Sequence, residues 1–349
     1  MTAIYIRKVC LLLILAAGGC DQHKDEVFHD QFFTFGTLVD VSLYGVEAPL
    51  AETACRKIEM DFMEMHASWH AWQPGPLATL NEHLANLEPA TTEASLVPLL
   101  KEANRLSRLS AGLFNPVIGN LIALWGFHDN ALPIGTLPNR AAIRKLVAQA
   151  PSVENITIND TVITSDNPSV AYDLGGFAKG YAIDRAIERL RESGIENAIV
   201  NAGGDLRAIG QHGERPWRIG IRHPRETGIL ASIEISGDES VFTSGDYERF
   251  FEVEGRRYHH IIDPRTGYPA DSTASVTVIH SDAATADAAA TALFVAGPDE
   301  WMSTAHNMGI RYVMLIDAQG TIHMNPAMQS RIHFEPGTGL NISLSTPLQ

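Results

Sequence analysis

The sequence predicts an α+β fold, with mixed helices and a largely antiparallel sheet. Three observations carry this. Helical periodicity is concentrated in the first half of the chain, over 47–67, 96–110, 117–124 and 139–150. From 198 to 279 the pattern is mostly strand-like. Helices and strands do not alternate strictly, as a doubly wound sheet requires, and no internal repeat is present. The 349 residues are 45% hydrophobic and 19% charged, enough apolar mass for a large soluble core. A formal net charge of -15 argues against a nucleic-acid partner and requires any phosphate site to be local.

The chain opens with Arg7 and Lys8, an apolar run over 9–17 and then Gly18-Gly19-Cys20. The run is too short to span a bilayer and has the layout of a secretory signal. Small residues before a cysteine resemble a bacterial lipoprotein cleavage site, although Ala17 stands where leucine is usual. Residues 1–19 are thus expected to be a removed leader. Cys20 is expected to carry lipid, 20–31 to form a polar tether, and 32–345 to form one domain. Removal of the leader takes away two positive charges and no acid. It leaves Cys20 and Cys55, so no disulfide framework or cysteine metal site is available.

Within the domain, 32–44 reads as strand around Gly36. The helix over 47–67 has Pro49 in its first turn and Ile58, Phe62 and Met65 at helical spacing. Trp69-His70-Ala71-Trp72-Gln73-Pro74-Gly75-Pro76 breaks regular structure; its tryptophans fit a flat wall for a ring ligand or plain packing at a turn. The helix over 96–110 ends at Ala111-Gly112, before Leu113-Phe114-Asn115-Pro116. The stretch 117–124 reads as a buried helix ending at Trp125-Gly126-Phe127, and Asn139 is placed to cap the helix over 139–150. Residues 156–158 and 162–164 flank Asn159-Asp160 as a hairpin. A later helix carries Ile183, Ile187 and Leu190 on one face and stops at Gly194. Strand 198–200 leads to Asn201-Ala202-Gly203-Gly204-Asp205, and further strands read over 217–221, 229–235, 258–262 and 276–279. After Ile316 one short strand precedes a Pro/Gly-rich tail.

Four segments carry chemistry. Asp173-Leu174-Gly175-Gly176-Phe177-Ala178-Lys179-Gly180 joins a strand end to a helix. Paired glycines let a ligand approach the backbone, and a helix start offers free N–H groups to phosphate. Asp173 and Lys179 add one charge of each sign; taken alone, the segment fits a tight corner with a surface lysine equally well. Thr243-Ser244-Gly245-Asp246-Tyr247 can hydrogen-bond a polar ligand edge or simply close a turn. In His259-His260-Ile261-Ile262-Asp263-Pro264, an extended backbone places His260 and Ile262 on one face and His259 and Ile261 on the other. His260 is there a candidate base or phosphate support, and a structural histidine is the plainer reading of it alone. In the alanine-rich run 286–294, Asp287 and Thr291 lie one helical turn apart, so a carboxylate and a hydroxyl face one way. Both are hard ligands suited to Mg²⁺ that keeps water and phosphate oxygens in its other positions.

In this order, these segments resemble the ApbE family of bacterial FAD:protein FMN transferases, long described as thiamine-biosynthesis lipoproteins. The match also uses Ser110 to Pro116, Leu124-Trp125-Gly126-Phe127 and Asn201 to Asp205, and covers about 33–309. The resemblance implies a T-fold-like α+β domain that takes FAD as substrate with Mg²⁺. It implies that Gly176, through its carbonyl, Asp287 and Thr291 hold the metal. Phe35, Trp72, Leu113, Phe114, Asn115, Asp173, Lys179, Thr243, Ser244, Gly245, Asp246 and His260 would line the FAD site. Phe35-Gly36-Thr37 stands where Met-Gly-Thr is common, and Asn115 where Asp is common. The segment from Trp69 to Pro76 replaces a tyrosine-bearing loop, and Trp72 is expected in place of that tyrosine against the isoalloxazine.

The implied reaction is attack by an acceptor threonine on the FMN phosphorus, with AMP leaving. His260 is the candidate general base, oriented by Asp263, whose carboxylate would raise the imidazole pKa above about 6.5. Two other functions remain open at this point: a Mg²⁺-dependent FAD pyrophosphatase, and a periplasmic FAD-binding protein without turnover. The expected location is the periplasmic side of the inner membrane, held by lipid on Cys20. The expected partner is a membrane-associated redox subunit, and no nucleic acid.

Overall fold

The computed structural model describes residues 27–128, 136–336 and 339–348. The leader, Cys20 and the first part of the expected tether lie outside the described residues. Val27–Thr34 and Thr37–Tyr44 pair as an antiparallel hairpin, with Val27 opposite Tyr44. Residues 27–31 therefore belong to the first strand, not to a tether. Their polar side chains mislead because the strand is half exposed: His29 and Gln31 face solvent while Phe28 packs on the core.

The hairpin forms one edge of a nine-stranded sheet. Its order continues through Ala198–Ala202, Asp205–Gly210, Gly237–Gly245, Thr273–His280, Tyr312–Asp317, Ile322–Met324 and Ile342–Leu344. Every neighbouring pair is antiparallel except the last, which is parallel. Successive side chains point to opposite faces, and both faces are buried. Phe242, Val313 and Leu315 meet a core under the helices Ala48–Trp69, Ala178–Glu192 and Ala283–Asn307. Val241, Met314 and Ile316 meet a second core under the small sheet of Trp217–Arg222, Ile229–Ile235 and Ile332–Phe334.

A third cluster seats the helices Gly119–Leu124 and Arg140–Ala148 on the hairpin of Phe250–Val253 and Arg256–His259. Trp125 stacks on Tyr258 with centroids 5.6 Å apart, and its indole N–H donates to the Gly267 carbonyl at 2.7 Å. Asn139 does cap its helix, accepting the Ala141 N–H at 2.8 Å. Two elements differ from the sequence reading. Pro76–Ala85 is a helix, started by the proline that had marked a break. Among the described residues, the tail after Ile316 holds three strands of three residues each, too short for periodicity to register.

Candidate functional site

The glycine turn and the alanine-rich helix meet at close quarters. The helix Ala178–Glu192 starts at Phe177 with no side-chain cap, which leaves its first N–H groups unsatisfied within the helix. Asp287 supplies one acceptor from across the gap, taking the Gly180 N–H at 2.9 Å. Only glycine fits there: a Cβ on Gly180 would sit 2.3 Å from the Ala283 carbonyl oxygen and 2.8 Å from the Asp287 Cβ. Gly176 likewise lies against Thr291, whose Oγ1 would be 3.0 Å from an added Cβ. Helical spacing thus brings Asp287 and Thr291 together, and the glycines bring the turn to them.

Charge concentrates at the same point. Lys179 pairs with Asp205, whose Oδ1 also accepts the Thr243 N–H at 2.9 Å. Burial pushes the Asp287 carboxyl up to about 7, and the Lys179 charge opposes that rise. Burial alone would lower the Lys179 ammonium, but Asp205 and Asp287 hold it above its ordinary value. Asp173 folds back, accepting the Gly175 N–H at 2.9 Å and the Trp72 indole N–H at 3.0 Å.

These residues line a cavity of about 560 Å³. That volume is in the range of about 300–1,000 Å³ usual for small-molecule and cofactor sites. Phe35, Leu113, Phe114, Asn115, Asp173, Gly176, Lys179, Thr243, Ser244, Gly245, His260, Asp287 and Thr291 all lie on its wall. The Ser244 hydroxyl is 3.5 Å from that of Thr291, and the Thr243 hydroxyl is 2.9 Å from that of Thr277. Asn115 donates its amide N–H to the Pro151 carbonyl at 2.9 Å and accepts the Val117 N–H at 3.1 Å.

Three expected site residues stand elsewhere. Trp72 is set behind Asp173, outside the cavity lining. The His70 ring accepts the Trp72 and Gln73 N–H groups at 3.1 and 3.0 Å and holds the loop in that position. Asp246 is turned away and held by a two-pronged Arg225 at 2.6 and 2.7 Å, with Arg257 at 3.3 Å. Asp263 does not orient His260. It takes the Arg265 backbone N–H at 2.8 Å and the Arg265 guanidinium at 3.0 Å, closing its own turn.

His260 itself is half-buried on the cavity wall. Its Nδ1 lies 3.3 Å from the Arg249 carbonyl, which can only accept, so the proton sits on Nδ1 and Nε2 keeps its lone pair. The expected rise in pKa is reversed. Burial first, then His259 and Arg249, push the imidazole down to about 3. The strand ends at His259, whose Nε2 donates to the Ala270 carbonyl and whose Nδ1 accepts the Ile261 N–H; Ile261 and Ile262 join His260 on the cavity. Strict alternation therefore fails from this residue on.

Sequence reasoning passed over Asp205, Arg222 and the apolar wall of Ile118, Ile122 and Phe127. Asp205 follows a glycine pair that had drawn notice, and its position after two glycines was the available signal. Arg222 lies over the Tyr247 ring at 4.6 Å and pairs with Glu248 at 2.6 Å; nothing local in the sequence marks it.

Among the described residues, no group of three or more His, Cys, Asp or Glu side chains forms a metal site. Beside Asp173, Asp205, Glu248, Thr243 and Ser244, the cavity wall carries a carboxylate, a hydroxyl and a backbone carbonyl from Asp287, Thr291 and Gly176. All three are hard oxygens, a set that fits Mg²⁺ with water or phosphate completing its shell.

Comparison with known proteins agrees with this architecture. The ApbE family model matches residues 35–314. An FAD:protein FMN transferase of Rhodobacter capsulatus is 41% identical over 308 residues, covering 88% of this chain and 59% of that protein. One of Vibrio cholerae is 32% identical over 317 residues, covering 88% and 92%. The crystal structure of the ApbE protein from Thermotoga maritima superposes with a TM-score of 0.80 at 33% identity, covering 88% of this chain and 99% of that one. The flavin transferase ApbE of Vibrio cholerae gives a TM-score of 0.77 at 29% identity, with the same coverage. With its sheet, its glycine turn and its Asp287–Thr291 helix in one shared framework, the chain belongs to the ApbE family.

Proposed function

We propose that this chain is a flavin transferase that moves FMN from FAD to a threonine hydroxyl of an acceptor protein, with Mg²⁺ and release of AMP. The observation that carries this reading is the convergence of Gly176, Asp287 and Thr291 on the cavity that also holds Lys179. Family membership and the names of its relatives support the flavin-transfer chemistry.

The residues divide the work by chemistry. Asp287, Thr291 and the Gly176 carbonyl would hold Mg²⁺, which when bound neutralises charge on the pyrophosphate. Lys179 adds a cation that Asp205 keeps charged and in place. Ile118, Ile122, Phe127 and Phe35 offer an apolar wall for the flavin ring. The acceptor threonine oxygen forms the new bond to the FMN phosphorus as the bond to the AMP oxygen breaks. His260 Nε2 would take the threonine proton, with the anionic phosphate beside it countering the depression of the imidazole pKa in the free protein.

The test is incubation with FAD, Mg²⁺ and a candidate acceptor, followed by mass spectrometry. FMN on an acceptor threonine with free AMP is the expected result. Free FMN and AMP without modified protein would make the chain a pyrophosphatase. Neither product would make it a flavin-binding protein.

We also propose attachment to the periplasmic side of the inner membrane by lipid on Cys20, near a membrane-associated redox acceptor. The Arg7-Lys8 start, the apolar run and Gly18-Gly19-Cys20 support this. No helix among the described residues is long and apolar enough to cross a membrane. Membrane fractionation of Cys20→Ala is expected to move the protein out of the membrane fraction; complete retention would remove the lipid anchor.

A further inference from the structure

The two helices that build the metal wall cap each other. Asp287, on the alanine-rich helix, accepts the Gly180 N–H of its neighbour at 2.9 Å. Asp184, on that neighbour, returns the contact. Its Oδ1 accepts the Ala283 N–H and its Oδ2 the Ala284 N–H, both at 2.9 Å. These are the first two residues of the helix that carries Asp287. Each helix start thus satisfies free N–H groups with the other helix's carboxylate, where the start also favours negative charge.

Asp184 is itself held. It is buried at 8% exposure and pairs with Arg207 from the strand Asp205–Gly210. Arg207 places its other nitrogens on Asp238 at 2.8 and 2.9 Å. A rigid line therefore runs from the sheet through Arg207 and Asp184 to Ala283, one helical turn before Asp287. Asp282 caps the same helix through the Thr285 N–H at 2.7 Å. That contact stays within one segment, so it stabilises the helix without fixing it to its neighbour.

We propose that Asp184 is a positioning residue for the metal site, setting where Asp287 and Thr291 lie against Gly176 by tying two helix starts together. It touches neither the metal donors nor the cavity. The proposal rests on the metal reading given under Proposed function.

The contrast with Asp282 supplies the test. Mn²⁺ is titrated into the full chain with FAD and no acceptor, and bound ion is read from loss of the free-ion EPR signal, with FAD alone as blank. Asp184→Asn keeps the shape but turns an N–H₂ toward a backbone donor. It is expected to weaken Mn²⁺ binding about tenfold, the low end of what losing a group bonded directly to a ligand costs, because Asp184 acts through the helix start. Asp282→Ala is expected to lower the melting temperature while leaving the Mn²⁺ dissociation constant within about twofold. An unchanged dissociation constant in Asp184→Asn would overturn the proposal, and so would an equal weakening in Asp282→Ala. Should Asp184→Asn fail to fold, Arg207→Lys decides. It leaves Asp184 in place without the Nη1–H that Arg207 donates to it, so a weaker Mn²⁺ site supports the proposal and an unchanged one overturns it. No Mn²⁺ binding in the parent protein would instead remove the metal reading itself.

Discussion

The cavity has two walls of opposite character. On the helix wall, residues more than 100 positions apart in sequence meet within hydrogen-bond distance, as Gly180 and Asp287 do. On the hairpin side, His260 lies on the wall while Asp263, three positions on, stands off it, and their side chains serve different partners, Arg249 and Arg265. The difference teaches that spacing along a helix fixes a shared direction, whereas nearness in a turn fixes nothing. A turn residue is claimed by whichever backbone N–H it can reach first, and Asp263 is claimed by Arg265.

The sharpest break between the walls is at Asp287. Asp287→Ala removes a buried carboxylate from the helix wall and is expected to cut kcat/KM by about 10³-fold or more, at every pH. A correctly folded variant with near-parental turnover of FAD would dissolve the distinction. On the hairpin wall, His260→Gln is expected to cost about 10²-fold in kcat while FAD binding holds, as loss of a base alone should.

The pH dependence of His260 sharpens the comparison further. Burial holds its folded pKa at about 3, below the ordinary imidazole value of about 6.5, so the free protein keeps the ring neutral through pH 5–8. The kcat/KM profile, which reports the free protein, is expected to show no acid limb from this residue. A limb near pH 6–7 that vanishes in His260→Gln would contradict that. The sign for stability follows from the same depression. An unfolded chain takes up the proton as pH falls below 6.5, while the folded one does not until about 3. The stabilising contribution is therefore complete above pH 6.5 and lost on acidification, and urea midpoints of parent and His260→Gln should diverge in that window.

Asp263→Asn is expected to leave transfer nearly unchanged and to lower stability by about 1–3 kcal/mol, because it loosens a turn held by charged hydrogen bonds. A urea titration beside an activity assay checks both halves; a large loss of kcat would return Asp263 to the chemistry. The smallest effect belongs to Trp72→Phe. It deletes one hydrogen bond to Asp173, about 1 kcal/mol, and should raise the FAD dissociation constant by less than about tenfold. A greater loss in a fluorescence titration would place Trp72 on the flavin after all.

Legibility in the sequence followed the same division. The helices other than Pro76–Ala85, the hairpin at Asn159-Asp160 and the Asp287–Thr291 pairing were readable because each is a local periodicity or a turn signal. The order of the nine-stranded sheet was not, since its neighbours come from distant parts of the chain. Trp72, Asp246 and Asp263 carried suitable chemistry but were drawn to Asp173, Arg225 and Arg265, choices that only the tertiary arrangement makes. Asp205 was passed over for the converse reason. Its worth depends on Lys179 and Thr243, which approach it from another helix and another strand.

The alanine-rich segment has one more consequence, for the order of assembly. From Ala283 to Ala296 every side chain except Thr291 is buried, so this helix has no face suited to water. A helix of that length is marginal alone, and most helices gain their stability by docking one apolar face. Here the docking is on all sides, so the segment can settle only when the sheet and the neighbouring helices already stand around it. Asp287 and Thr291 would then reach their places among the last parts of the chain to do so. A partly folded chain offers no site, and ligand bound at this helix counts only toward the finished molecule. A ligand that binds only the finished site would then raise the melting temperature of the whole domain.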